Sequence, residues 1–175
     1  MELSDPHRRF FRNDQFLHAF VINVLINGAI AWAILRSHAT IPLWGQAAMG
    51  PDLLATGVLL PVFMTLIVSR LIRGQVERGT LPPLAPALIA ERGMHRRPAI
   101  VRALVLAAFA TLCGSLPLVA LLELADARPV SLAGFVAFKA LWAGAMAALL
   151  SPPMAWWALA AASERAPSEA KAASA

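Results

Sequence analysis

The sequence from Leu132 to Ala162 reads LAGFVAFKALWAGAMAALLSPPMAWWALAAA, and Lys139 is its one charged side chain. A helix needs about 20 mostly apolar residues to cross the hydrocarbon core of a bilayer. This stretch supplies more than that length with a single charge. It therefore predicts a membrane-spanning helix.

Three more stretches have the same character, and the four together decide the fold. They are Phe16–Leu35, Leu53–Ile72 and Ala103–Leu122. Over the 175 residues, 59% of the side chains are hydrophobic, 14% are charged and the mean hydropathy is +0.66. A soluble domain of this size would not carry that much apolar surface. The sequence predicts an all-α membrane protein with four transmembrane helices arranged as two hairpins.

The first stretch could instead belong to a cleaved signal peptide, because Ala31-Trp32-Ala33 resembles a small-residue cleavage site. Against this, Asn23 and Asn27 interrupt its apolar run, and the segment that precedes it is long and contains acids. We expect the stretch to be retained as a helix.

Arginine is distributed unevenly between the connecting segments, and this asymmetry predicts an orientation. The N-terminal tail and the loop between the second and third stretches are rich in arginine, whereas the other two loops hold little. Lys and Arg accumulate on the cytoplasmic side of membrane proteins. We therefore expect the N and C termini and the long loop to be cytoplasmic. The predicted organisation is a cytoplasmic tail 1–15, a first hairpin 16–72 (helices 16–35 and 53–72, outward loop 36–52), a basic cytoplasmic loop 73–99, a second hairpin 100–162 (helices 103–122 and 132–162) and a disordered cytoplasmic tail 163–175.

A net charge of +5 and a pI near 11 would suggest a nucleic-acid partner for a soluble chain. Here the cations sit at helix ends and in the basic loop, so we expect membrane lipids with anionic headgroups as partners, and no nucleic acid. Arg92, Arg96 and Arg97 are the predicted lipid-facing residues.

Abundant alanine and a preference for arginine over lysine are typical of a GC-rich bacterial genome. The expected location is the bacterial cytoplasmic (inner) membrane.

Polar residues inside the spans are the candidates for function. Asn23 and Asn27 are four residues apart and share one face of the first helix. Lipid offers an amide no partner, so this face should point into the bundle. There the amides could bond helices together or line a pathway for a solute or an ion, and both interpretations stay open. The hydroxyls with the same two possible roles are Thr56, Thr65, Thr111 and Ser115.

Lys139 is the one lysine within a span, which makes it a functional candidate. If Trp156 and Trp157 mark the cytoplasmic interface, Lys139 lies near the outer surface and its ammonium can extend to the outer headgroups. This interpretation is favoured. The alternative is an outer gate in which Lys139 pairs with Asp52 or Glu123.

Proline and small residues within the spans predict how the helices are shaped and packed. A proline leaves the carbonyl one turn earlier without its helical donor, so each is a possible kink. Small residues at four-residue spacing allow helix backbones to approach closely. The predicted kinks are Pro61, Pro117, Pro152 and Pro153, and the predicted packing stripe comprises Gly114, Ala140, Gly144 and Ala148.

The sequence holds no phosphate-binding glycine loop, zinc-protease helix or nucleophile elbow, so we expect no catalytic residues and no enzyme activity. The histidines lack metal-ligand spacing and Cys113 is the only cysteine, so we expect no metal and no cofactor.

Two hypotheses for the function remain. The chain is a permease-like oligomeric helix bundle that passes an ion or small solute, or it is a non-catalytic accessory or scaffold subunit of a larger membrane complex or an anionic-lipid-binding protein. The first is marginally favoured.

Overall fold

The computed structural model describes residues 16–89 and 93–172 and contains four long helices. They are α1 (Phe16–Leu35), α2 (Met49–Glu77), α3 (Ala99–Leu124) and α4 (Leu132–Ala172). Each is long and apolar enough to cross a membrane. The prediction of four such helices is therefore confirmed. The N-terminal tail 1–15, Arg92 and residues 173–175 lie outside the described part of the chain.

Three of the helices run beyond the apolar stretches that predict them. Pro51 and Asp52 lie in the first turn of α2. The N–H that proline lacks has no helical partner at this position, and the carboxylate of Asp52 faces the positive end of the helix dipole. The other end of α2 closes on Gly79, whose φ of 70° is readily adopted by glycine. The N–H groups of Gly79 and Thr80 bond back to Val76 and Gln75, which satisfies the last carbonyls of the helix.

A two-stranded antiparallel ribbon joins the two short loops at one end of the bundle. It pairs β1 (Thr40–Ile41) with β2 (Val130–Ser131), with Thr40 opposite Ser131. Ile41 is fully buried beneath it. We call this end of the bundle the ribbon end.

The basic loop covers the opposite end, which we call the basic end. Its backbone N–H at Leu84 donates to the hydroxyl of Ser163 at 2.8 Å, and that hydroxyl donates to the carbonyl of Leu159. Glu164 accepts a hydrogen bond from Arg96 at 3.1 Å and lies 3.4 Å from His95. These contacts join the basic loop to the end of α4. α4 continues through Ala172, so residues 163–172 are helical where the sequence predicts a disordered tail, and the rest of that tail lies outside the described residues.

α4 lies at the centre of the bundle and contacts both α1 and α2. It meets α1 through small residues: a Cβ at Gly144 would lie 2.5 Å from Cγ2 of Val24, and a Cβ at Gly28 would lie 3.3 Å from Cβ of Ala140. α2 packs on α3 and α4. Most of α1 away from α4 is exposed, including the large side chains of Leu25 and Ile30.

α3 departs from regular geometry at its middle. The segment Thr111–Ser115 forms a π-turn, with the N–H of Leu116 bonded to the carbonyl of Thr111. Pro117 follows directly and has no N–H to restore the regular ladder. By contrast, α2 stays helical through Pro61 and α4 stays helical through Pro152 and Pro153.

Candidate ligand groove between α1 and α2

A cavity of about 460 Å³ lies between α1 and α2, with Lys139 of α4 reaching into it. It exists because α1 packs along α4, which leaves the flank of α1 that faces α2 uncovered. We call this cavity the α1–α2 groove. Its apolar lining residues are Ile26, Ile30, Ile34, Ala55, Leu59, Leu60, Phe63, Met64 and Ile67, and its polar ones are Asn23, Asn27, Asp52, Thr56 and Lys139.

The walls of the groove are open to the surroundings of the bundle. Ile30 is 46% exposed, and across the groove Phe63 is 59% exposed and Ile67 is 53% exposed. These side chains belong to helices apolar enough to lie in lipid. A molecule dissolved in the hydrocarbon region could therefore enter the groove sideways.

The charged part of the groove is an ion pair between α4 and α2. The ammonium of Lys139 lies 2.5 Å from Oδ1 of Asp52, and the Lys139 side chain is only 4% exposed. An ammonium buried among apolar groups needs such a partner, because taking it out of water costs several kcal/mol. Oδ2 of Asp52 is buried and accepts no hydrogen bond. The groove therefore presents one unsatisfied carboxylate oxygen.

The structure contains one of the two pairings considered for Lys139, and a gating role stays a prediction. The sequence favours an ammonium that extends to the outer headgroups, whereas the structure buries Lys139 against Asp52. Glu123 is not its partner. That carboxylate accepts a hydrogen bond from the indole N–H of Trp44, which fastens the loop 36–48 to the end of α3.

Both asparagines line the groove, but their amides bond within α1. Nδ2 of Asn23 donates to the carbonyl of Ala19 at 2.8 Å, and Nδ2 of Asn27 donates to the carbonyl of Asn23 at 3.1 Å. Within the described part of the chain, the hydrogen bond from these amides to another helix is a weak one, 3.6 Å from Nδ2 of Asn23 to the sulfur of Met64. Their hydrogen bonds thus hold the amides on the groove wall and do little to join helices.

The four hydroxyl residues fall into separate places. Thr56 lines the groove and donates to the carbonyl of Asp52 at 2.8 Å. Thr65 is buried, and its hydroxyl donates to the carbonyl of Pro61 one turn earlier in the same helix. Thr111 and Ser115 lie on the π-turn of α3 against Gly57, outside the groove. One continuous polar path through all the candidates is therefore not formed.

The predicted packing residues take two positions. Gly144 and Ala140 contact α1, as described above. Gly114 lies instead on α3, where an added Cβ would be 3.4 Å from Met146 of α4. Ala148 is buried on α4. The glycines thus serve two different interfaces of α4.

A second polar pocket, at the basic end, has no counterpart among the sequence candidates. It is lined by guanidinium groups from α2, α3 and α4, including Arg102 and Arg165. In the sequence, Arg102 directly precedes the third apolar stretch, and this position is the signal that could have pointed to it. Arg165 falls in the segment predicted to be disordered, so no spacing argument reaches it.

Within residues 16–89 and 93–172, no group of three His, Cys, Asp or Glu residues is placed to hold a metal ion. Cys113 is exposed on α3.

Comparison of the chain with protein-family models, with curated proteins and with solved structures finds no match.

Proposed function

We propose that this chain is a permease-like protein of the bacterial inner membrane, which takes a small amphipathic solute into the α1–α2 groove and passes it across the bilayer. The observation that carries the proposal is the groove itself: apolar walls open to lipid, with the Asp52–Lys139 pair inside. Ligand sites combine such apolar walls with a few placed polar groups.

The chemistry of the groove favours an amphipathic solute over a bare ion. A dehydrated ion needs several oxygen ligands around it, and the lining is predominantly apolar. An alkyl chain matches those walls. The unsatisfied Oδ2 of Asp52 accepts a hydrogen bond, so the head of the solute should carry a donor, such as a primary amine or a hydroxyl.

The arginine distribution supports an orientation with both termini and the basic end in the cytoplasm. Arg70, Arg73, Arg102 and Arg165 gather at the basic end of the described bundle. The positive-inside rule places such a cluster on the cytoplasmic side. The ribbon end and the Asp52–Lys139 pair then lie toward the outside, with the helices forming two hairpins.

A second copy of the chain would complete the pathway. In one copy the groove is bounded by α1, α2 and α4 and is open at the side. Transport requires the solute to be enclosed from lipid at some stage. We therefore include a homo-oligomer in the proposal, with the exposed flank of α1 at or near the contact between copies.

The exposed flank of α1 also favours a second candidate, a non-catalytic accessory subunit. Leu25 is 66% exposed and Ile22 is 51% exposed. A partner protein with an apolar helix could cover them. In that case the groove would hold a structural lipid or a helix of the partner, and no solute would move.

Photolabelling tests whether the groove binds an amphipathic amine. The probe is a diazirine-bearing long-chain primary amine, and the comparison probe is its trimethylammonium analogue, which has the same charge and no hydrogen-bond donor. In proteoliposomes the amine should label the groove walls of α1 and α2, and excess dodecylamine should compete with it. Asp52→Asn should reduce the labelling, whereas Asp126→Asn, a carboxylate change at the same end outside the groove, should not.

Transport has its own readout. Cells that make the wild-type chain should differ in their tolerance to dodecylamine from cells that make the Asp52→Asn variant at equal abundance. Equal tolerance with groove labelling intact would contradict transport and support the accessory role. Label spread evenly over all exposed helix faces would contradict the site itself.

A further inference from the structure

The basic end holds a pocket of about 190 Å³ between α2, α3 and α4, separate from the α1–α2 groove. Ser69, Arg70 and Arg73 of α2 line one side, with Arg102 of α3 and Arg165 of α4 opposite. Among the described residues, no aspartate or glutamate lines it. We call this the arginine pocket.

Arg102 is the residue that the bundle alone does not explain. It is 5% exposed, and its hydrogen bond from Nη2 to the hydroxyl of Ser69 is long, at 3.4 Å. Its Nε is buried and has no hydrogen-bond partner. A guanidinium carries five donors and keeps its charge in proteins, so burying it with so few acceptors is strongly unfavourable.

The surroundings of Arg102 make an anion the fitting ligand. Arg70, Arg73 and Arg165 line the same pocket, so like charges face one another there. Arg73 also pairs with Glu77 on the surface of α2 and therefore contributes less to this repulsion than the other arginines. An anion in the pocket would relieve the repulsion and accept the unused donor of Arg102.

The arrangement of the donors favours a phosphate group. Guanidinium forks form paired, charge-assisted hydrogen bonds with phosphate oxygens, and a phosphate can accept from several arginines at once. Ala99, the first residue of α3, also lines the pocket, so the positive end of a long helix faces the same space. We propose that the arginine pocket binds a phosphate-bearing anion through Arg102, Arg70 and Arg165.

Two sources could supply that phosphate, the headgroup of an anionic phospholipid or a soluble phosphate. The neighbouring side chains favour the lipid. Leu66 lines the pocket beside the arginines, and the helices that form the pocket are apolar enough to lie in lipid. A headgroup in the pocket would leave its acyl chains against these helices.

The test uses the full chain purified in neutral detergent and native mass spectrometry with added phosphatidylglycerol. Wild type should retain the lipid, and Arg102→Gln should bind it about tenfold more weakly, the effect of losing one strong charge-assisted contact. Arg78→Gln is the matched control, because Arg78 is an exposed arginine at the same end that does not line the pocket. It should bind the lipid as wild type does. Phosphatidylcholine, whose headgroup has no net charge, should be retained poorly by all three.

A second arm uses inorganic phosphate without lipid and follows thermal unfolding against chloride at equal ionic strength. Stabilisation that disappears in Arg102→Gln would assign the pocket to soluble phosphate. If Arg102→Gln fails to fold, Arg70→Gln replaces it, since Arg70 is exposed and lines the pocket. The proposal is overturned if neither probe binds, or if Arg78→Gln weakens binding as much as the pocket variants do. Groove labelling by the amine photoprobe should be unchanged in these variants, so this result is independent of the proposed function.

Discussion

Lys139 and Asp52 are 87 residues apart in the sequence, yet the ammonium of one lies 2.5 Å from a carboxylate oxygen of the other. The pair joins α4 to the first turn of α2 and lines the α1–α2 groove. It is thus both a structural link between two helices and the charged element of the proposed site.

Removing one member of this pair should cost much more stability than removing both. Asp52→Leu leaves the ammonium of Lys139 buried without its partner, and we expect a loss of about 3–5 kcal/mol in the free energy of unfolding. Adding Lys139→Met removes the buried charge and should restore most of that loss. Chemical unfolding of the two single variants and the double variant in detergent measures the coupling. Additive losses would show that the two charges do not interact.

A contact between two backbones should make Gly144 intolerant of even one methyl group. A Cβ there would lie 2.5 Å from Val24 and 3.1 Å from the carbonyl oxygen of Phe20, so α1 must move away from α4. We expect Gly144→Ala to lower the free energy of unfolding by about 1–3 kcal/mol. Gly114→Ala is the matched control, since its Cβ would meet Met146 at an ordinary 3.4 Å. Equal thermal shifts in the two variants would contradict the close approach.

The number of long helices could be predicted because each stretch must satisfy the length and apolarity that a bilayer imposes. The ends of the helices could not, since outside lipid a helix continues wherever its capping and side-chain contacts allow. α2 ends at Glu77, five residues after its apolar stretch, where Gly79 turns the chain. α4 continues past Ser163, whose hydroxyl bonds the basic loop, although composition suggested disorder there. Hydropathy carries no information on either contact.

The polar residues of the site could be selected from the sequence, but their grouping could not. Asn23, Asn27, Thr56 and Lys139 are candidates because they are polar within apolar runs. Asp52 is one because it stands at the outer end of a span, where it can pair with Lys139. Which of them meet depends on which helix α1 packs against. The stripe of small residues on α4 predicts a close contact without naming the partner helix, and the structure shows that the partner is α1.

The local hydrogen bonds of Asn27 predict that its side chain matters little for stability. Its amide donates to the carbonyl of Asn23 within the same helix, so replacing it breaks no bond between helices. We expect Asn27→Leu to change the free energy of unfolding by less than about 1 kcal/mol while reducing photolabelling of the groove by the long-chain amine. Leu25→Ala, on the exposed flank of α1, is the control for labelling. A large loss of stability in Asn27→Leu would instead assign the amide a role in helix association.

Ser163 should be the residue that fixes the basic loop to α4. Its hydroxyl accepts from the N–H of Leu84 and donates to the carbonyl of Leu159, and both bonds are buried. Ser163→Ala leaves that N–H without an acceptor, and the loss of a buried partner costs about 1–3 kcal/mol. Because the lost bond joins the basic loop to α4, the loop should detach more often, and limited proteolysis between residues 78 and 98 should become faster. Ser37→Ala removes an exposed hydroxyl at the ribbon end and should leave the cleavage rate unchanged. If the two variants are cleaved at the same rate as the wild type, the loop is held by its buried leucines, Leu81 and Leu84, and not by this hydroxyl.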